Sequence, residues 1–388
     1  MALAGPALAA WIAASIAAAP SAPDRAARDR PLAPPGQERV DGEIGRGRPS
    51  SPEQDAALRA AVERALSWLA ARQREEPDGS MPPTGASAGQ YAPVGTTALA
   101  ALAYMAAGST PERGPFGREL SDAVDYLLSR VDLAQGSDER GYVSDQRDRV
   151  SQMHGHGLST LALAQACSVS PKTARGRRIL EALELSVQRI EASQGLEGGW
   201  YYKPVSGLEH EGSVTICLVQ ALRAAKDAGV RVEAEVIARA VAYVERSQKQ
   251  DGSFRYALGR EETSVALTAA AIATLNATGR YSGTTIAQGY DYIERELGVR
   301  ELELARGGFG THAARYPFYE RLYLAQALWQ HSDRALFERW ADVERPRVLV
   351  AQRADGSWGG SAYGDCYATA VNVLFLTLPE GLLPIFQR

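Results

Sequence analysis

The stretch LEGGWYYKPVSGLEHEGSVTICLVQALRAAKDAG, residues 196–229, carries the plan of the whole chain. It opens on a Gly-Gly-Trp turn at 198–200, crosses a polar loop, and ends in a segment, 212–225, that is apolar almost all the way round. Glycine adopts backbone conformations closed to residues with a Cβ, so the turn reads as a structural joint. A helix without a polar face needs neighbours on most of its sides. The unit therefore cannot fold alone, and other copies of it are expected.

Such copies are present. Gly-rich turns recur at PDGSM (77–81), ERGYV (139–143), QDGSF (250–254), RGGFG (306–310) and ADGSW (354–358). Their spacing of roughly fifty to sixty residues suits a repeated pair of helices with its loops. Before most turns lies a one-sided amphipathic segment. In 233–248, Val236, Ile237, Ala240, Val241 and Val244 form one stripe, and Glu235, Arg239, Glu245 and Arg246 take the other face. Similar stripes occupy 53–72, 119–131, 174–193, 284–297 and 333–351; in the last, Pro346 predicts a kink or break. After each turn comes an apolar segment: 95–108, 157–168, 212–225, 263–277, 319–330 and 366–378. Six outer helices around six inner ones predict an all-α fold, an (α/α)6 toroid of inner/outer pairs around a central cavity. An open solenoid is the competing layout, and it leaves an inner helix exposed at each end. The aromatic neighbours Trp200, Phe254 and Trp358 are expected to seal the junctions between pairs.

Composition narrows the function classes. With 45% hydrophobic and 23% charged residues the chain is that of a soluble globular protein. A net charge of −4 gives no field to gather nucleic acid. Cys167, Cys217 and Cys366 lie far apart in apolar helical surroundings, which is neither a disulfide framework nor a CxxC metal motif. Residues 1–22 form an Ala-rich apolar run ending in small residues, which predicts a signal peptide and an exported protein. Gly5 and Pro6 interrupt this short run, so stable membrane insertion is not expected. Residues 23–51, rich in Pro, Gly, Arg and Asp, read as a disordered linker, leaving 52–388 as one toroid domain.

The segments QGLEGGW (194–200), QKQDGSF (248–254) and QRADGSW (352–358) are similar to the QW-type repeats of squalene and triterpene cyclases and of protein prenyltransferase β subunits. With MHGHGLSTLALAQA (153–166) and YATAVNVLFLTLPEGLLPIFQR (367–388), the chain resembles exported planctomycete-type proteins built from prenyltransferase/squalene oxidase repeats, over residues 52–388. The resemblance implies a toroid with a pocket for an apolar or amphiphilic ligand. It carries no reaction, because the motifs of the understood activities are missing. There is no DxDD acid motif; Asp365 and Cys366 are adjacent where prenyltransferases have Asp-x-Cys, and no histidine follows His331; the thioester motif GCGEQ is absent.

In a toroid the loops preceding the inner helices converge at one end of the cavity, where helix N-termini offer free N–H groups and partial positive charge. The sequence puts Tyr91, Gln152, His154, His156, Glu209, His210, Glu211, Glu261, Glu262, His312, Tyr316, Asp365, Cys366 and Tyr367 there. Glu209, Glu211 and Asp365 are the candidates for general acid and base, since enclosed carboxylates can have their pKa values driven apart. Tyr91, His154, His156, His210, Glu262, His312, Tyr319 and Tyr367 are candidate ligand contacts. His154, His156, His210 and Cys366 have the donor types of a zinc site but no compact ligand spacing, so no metal is expected and no cofactor is indicated. Against catalysis stands the ordinary role of acidic residues as helix caps. A lipid-like or a glycan ligand fits this reading. A cavity plugged by side chains or by the tail LLPIFQR (382–388) would instead suit a non-catalytic interaction module.

Overall fold

The computed structural model describes residues 52–85, 90–148, 150–169, 172–306 and 314–387; the expected signal segment and linker (1–51) and His312 lie outside them. Among the described residues twelve α-helices follow one another: α1 (Pro52–Gln73), α2 (Pro93–Ala106), α3 (Gly117–Ser129), α4 (Gln152–Val169), α5 (Ala174–Ala192), α6 (Gly212–Asp227), α7 (Ala234–Arg246), α8 (Val265–Ala277), α9 (Thr284–Ala305), α10 (Pro317–Gln330), α11 (Arg334–Val350) and α12 (Asp365–Thr377). The even-numbered helices are apolar and buried nearly throughout, and each packs on the next. Helix α12 returns to α2, so the inner ring closes, and the outer helices clothe it. This is the (α/α)6 toroid that alternating one-sided and all-round apolar helices predict.

The repeated turns are the joints of the outer layer. Gly356 (φ +93°) sits so close to α1 that an added Cβ would lie 2.6 Å from the Arg64 carbonyl oxygen. Gly79, Gly198 and Gly252 stand in the same relation to α3, α7 and α9. In the repeats at 194–200, 248–254 and 352–358 a glutamine completes the joint. Gln352 Nε2 donates to its own turn at Gly356 O (2.9 Å) and to Ala61 O of α1 (2.8 Å). Gln194 does likewise to Gly198 O and Val236 O, and Gln248 to Gly252 O and Thr285 O. The turn then hands one N–H to the following inner helix: Trp200 to Thr215 Oγ1, Phe254 to Thr268 Oγ1 and Trp358 to Thr369 Oγ1, at 3.0–3.1 Å. Trp200 and Trp358 are buried and each donates its indole N–H to the outer helix just left, at Ile190 O and Val348 O.

Three local expectations change. Helix α4 begins at Gln152, so the His154-Gly155-His156 unit is helical and not a loop. Its glycines serve packing: a Cβ on Gly157 would lie 2.8 Å from Cys217 Sγ of α6. Helix α9 runs on to Ala305. Helix α11 passes through Pro346 without a break. Proline removes one bond to the carbonyl four residues earlier, here at Asp342, which is exposed and can be solvated.

One end of the ring is closed. Leu383, Ile385 and Phe386 of the tail are buried, and the tail is tied to the end of α10 by Gln330 Nε2 to Phe386 O (3.3 Å) and Trp329 Nε1 to Gln387 Oε1 (2.8 Å). Above it, Gln220 Nε2 of α6 donates to Gln326 Oε1 of α10 at 2.9 Å. Helix α8 stands between these two in the ring, so this buried bond spans the interior in front of α8. Among the described residues no helix is long and apolar enough to cross a membrane.

Candidate functional site

The opposite end of the ring, where the inner helices begin, holds a cavity. Its walls come from α2 (Gly95, Thr96, Leu99), α4 (His154, Leu158), α6 (Cys217), α10 (Tyr319, Leu322, Tyr323) and α12 (Tyr367), with Ser151 and Tyr363 from the loops. Its volume of about 60 Å³ is well below the roughly 300–1,000 Å³ of a pocket enclosing a drug-sized ligand. The lining is mostly apolar, and its tyrosines pack against one another: Tyr319 and Tyr323 at 4.7 Å between centroids, Tyr363 and Tyr367 at 5.5 Å. Burial raises the pKa of Tyr319, Tyr323 and Tyr367, so they keep their protons at any physiological pH.

Behind His154 runs a chain of buried polar groups. His154 Nε2 lies 3.0 Å from Ser213 Oγ, and Ser213 Oγ lies 2.9 and 2.8 Å from Oε1 and Oε2 of Glu211. Glu211 is the residue before α6 and accepts the backbone N–H of Ser213 (2.9 Å) and of Val214 at that helix N-terminus. Its own N–H donates to Trp200 O at 2.8 Å, so the loop 201–210 returns the chain to the joint and places the carboxyl at 0% exposure. Burial dominates the electrostatics and raises the Glu211 pKa to about 7, against the lowering effect of the three hydrogen bonds it accepts. Burial likewise lowers His154 to about 4, so the imidazole is neutral. Cys217 is pushed up to about 12, by burial and by the nearby Glu211.

The candidates from sequence do not form one group. His154, Tyr319 and Tyr367 line the cavity, and Glu211 stands one side chain behind it. His156 faces away: its Nδ1 accepts the Val143 N–H at 3.1 Å, and burial lowers its pKa to about 3. Glu209 is exposed. His210 is half-buried against Tyr243, with Nδ1 3.1 Å from the phenol oxygen. Asp365 pairs with Arg353 at 2.6 Å at the start of α12. Tyr91 donates to Met81 O at 2.8 Å and, with burial, its pKa rises to about 12. Glu262 lies 3.9 Å from Arg260 on the loop before α8. His154, His156, His210 and Cys366 are thus held by different partners, the last through its N–H to Thr84 Oγ1. Among the described residues no three His, Cys, Asp or Glu side chains gather as metal ligands would.

The sequence held an unused signal for this division. Val143 occupies the joint position of its repeat, and His156 accepts its N–H where Thr215, Thr268 and Thr369 do so in theirs. Counting back two residues from these four acceptors gives His154, Ser213, Ala266 and Tyr367; His154 and Tyr367 lie in the cavity wall, Ser213 is bonded to His154, and Ala266 does neither. Reading the repeats in register would have found Ser213. It would also have separated His154 from His156. Asp148 was missed as well: it accepts the N–H groups of Val150 and Ser151 at the mouth of the cavity, and burial raises its pKa.

No protein-family model matches the sequence, and no curated protein does. Solved structures match in fold. Cellobiose 2-epimerase from Bacillus thermoamylovorans superposes with a TM-score of 0.60 at 11% identity, over 84% of this chain and 100% of its own. The α-1,6-mannanase GH76A of Salegentibacter gives 0.57 at 9%, over 85% and 99%. The type II terpene cyclase MstE from Scytonema gives 0.54 at 16%, over 86% and 100%. The chain therefore has an all-α toroid fold structurally related to terpene cyclases and to glycan-active toroid enzymes.

Proposed function

We propose that this toroid binds the slender apolar end of a lipid-like or amphiphilic small molecule in the cavity at the start of the inner helices. The observation that carries this is the lining: four tyrosines, three leucines and a thiol converge at an end that no described residue plugs, while the tail and the Gln220–Gln326 bond fill the other. An apolar chain gains from leaving water along such a wall, at about 25 cal/mol per Å². The small volume limits the ligand to a chain terminus unless tyrosine side chains swing aside, and the polar end would stay at the mouth near Ser151. The resemblance to squalene-cyclase-type repeats supports the same ligand class. A glycan ligand has less support, because a sugar needs polar partners on several sides and this wall supplies few.

The test is native mass spectrometry with farnesol, dodecanol and mannotetraose on the wild type and on Leu158→Trp, which fills the cavity from a half-buried wall position. Retention of an apolar chain, weakened on the order of 10-fold or more by Leu158→Trp, is expected from loss of the space it occupies. Retention of the sugar alone would refute the reading. Retention of none would make the ring an interaction module.

A further inference from the structure

We infer that the Gln220–Gln326 bond is the floor of the cavity and, backed from below by the C-terminal tail, fixes the length of apolar chain that the ring accepts. This deepens the reading above and rests on the cavity being a ligand site.

The ring is deeper than its cavity. Every inner-helix residue that lines the cavity lies in the first two turns of its helix, the deepest being Leu99 in α2, Leu158 in α4, Cys217 in α6, Tyr323 in α10 and Tyr367 in α12. Two turns are about 11 Å, and the helices run on below them. Close packing requires that the rest of the axis be filled, and the short side chains of alanine-rich α2 and α8 leave much of that to other groups.

Two layers fill it. The upper layer is the amide pair: Gln220 and Gln326 come three residues after Cys217 and Tyr323, about 4.5 Å deeper on the same helices. Both are buried, and Gln326 Nε2 also donates to the carbonyl of Leu322, a residue of the cavity wall, at 3.0 Å. The 2.9 Å bond between the two amides spans the interior in front of α8. The lower layer is the tail. Helix α6 stands opposite α12, equally far from it by either way round the ring, and the turn Pro384–Phe386 packs on α6. The chain leaving α12 therefore crosses the end of the ring. Gln330, about one turn beyond Gln326, is buried and holds the tail through Phe386 O.

Such a pair is a firmer stop than an apolar filler. Each methylene that leaves water for the cavity raises affinity about 4-fold. A chain that pushes past the floor parts two buried amides and leaves them without partners, which lowers affinity on the order of 10-fold or more for each. A flexible apolar side chain such as methionine would move aside instead. The ligand class narrows to amphiphiles whose inner end is a short straight chain, with any further length left outside beside the polar end.

Calorimetric titration of the full chain with straight-chain 1-alkanols from pentanol to dodecanol tests this. Wild-type affinity should rise about 4-fold per methylene and then level off, once the terminal methyl meets the floor. In Gln220→Ala/Gln326→Ala, which leaves no orphaned amide, the levelling point should move to chains longer by about four methylenes. Gln326→Ala alone is read in the same way if the double variant does not fold. Phe386→Ala, with the pair intact, should leave the levelling point where it is. An unmoved levelling point in a folded variant of the pair would overturn the floor, and so would one that moves with Phe386→Ala alone. A wild type that binds no alkanol counts against the cavity as a ligand site; binding by the pair variant alone would then uphold the floor, and binding by neither would overturn it.

Discussion

Residues 194–200 and residues 209–217 lie in one repeat, yet they answer to different constraints. The first set is the joint: Gln194 bridges its own turn to α7, the Gly198 turn lies against α7, and Trp200 is locked between α5 and Thr215. Every one of these relations has a counterpart at 248–254 and 352–358, apart from the indole bond where phenylalanine replaces tryptophan. The second set has few counterparts. A glutamate caps α6, whereas Ser264 caps α8 and glycine precedes α12. The His154–Ser213 bond ties α4 to α6, and nothing equivalent joins the next pair among the described residues. Closing a ring demands the same joint at every step, whereas the cavity is one place walled by five of the inner helices and needs each of them to be different.

The joint should break hardest where backbone meets backbone. Gly356→Val is expected to cost ~4 kcal/mol, because a positive φ is strained for a β-branched residue and the Arg64 carbonyl leaves no space for a Cβ. Since this contact seats the last turn on α1, ring closure itself is at stake. Urea unfolding measures it: a shift of the midpoint without a second transition is expected if the ring is one cooperative unit, and an added transition if the last pair detaches.

The mouth is better probed by pH. Glu211 titrates at about 7 in the fold against an ordinary 4.5, so between these values the folded state holds a proton that the unfolded chain has released. Its contribution to stability is full below pH 4.5 and is lost as pH rises through 7, by about 3 kcal/mol. His154 acts in the opposite sense: with a folded value of about 4 against 6.5, it loses stability as pH falls from 6.5 towards 4. Glu211→Gln removes the first effect and leaves the second. The difference in unfolding free energy between wild type and variant should therefore shrink in favour of the variant from pH 4.5 to 7 and stay level above that. A difference that is flat across the window would mean that Glu211 is ionised and satisfied in the fold, and the contrast between joint and mouth would weaken to one of geometry alone.

This contrast also explains what could be read from the chain without coordinates. The twelve helices and their inner or outer character were legible because a repeat states the same packing demand six times, and a stripe or its absence is a local pattern. The mouth was legible only as a neighbourhood. Glu211 and Glu209 are two residues apart in one loop, and only the return of the chain at Trp200 decides that one is buried and the other exposed. The apolar walls at Leu99, Leu158 and Tyr323 carry no motif, because a lining residue looks like any core residue until the shape of the void is known. His154 and His156 could have been separated by aligning their repeat with its neighbours, which is a register argument that composition and motif reading do not make.

The smallest of these effects offers the finest comparison. Gln352→Ala removes the amide that donates to Ala61 O and Gly356 O and accepts from Arg64 at 2.6 Å, leaving the turn and α1 packed but unbridged. Part of the site is open to water, which can replace some of those bonds, so a loss of about 1–2 kcal/mol is expected. Gln194→Ala removes the same two backbone bonds from a more deeply buried joint and should cost somewhat more, read as a larger shift of the urea midpoint at equal slope. Equal losses would mean that the bridge acts through geometry common to all the repeats. A larger loss at Gln352 would mean that the joint closing the ring is under more demand than those inside it, because it alone holds together two segments from opposite ends of the folded chain.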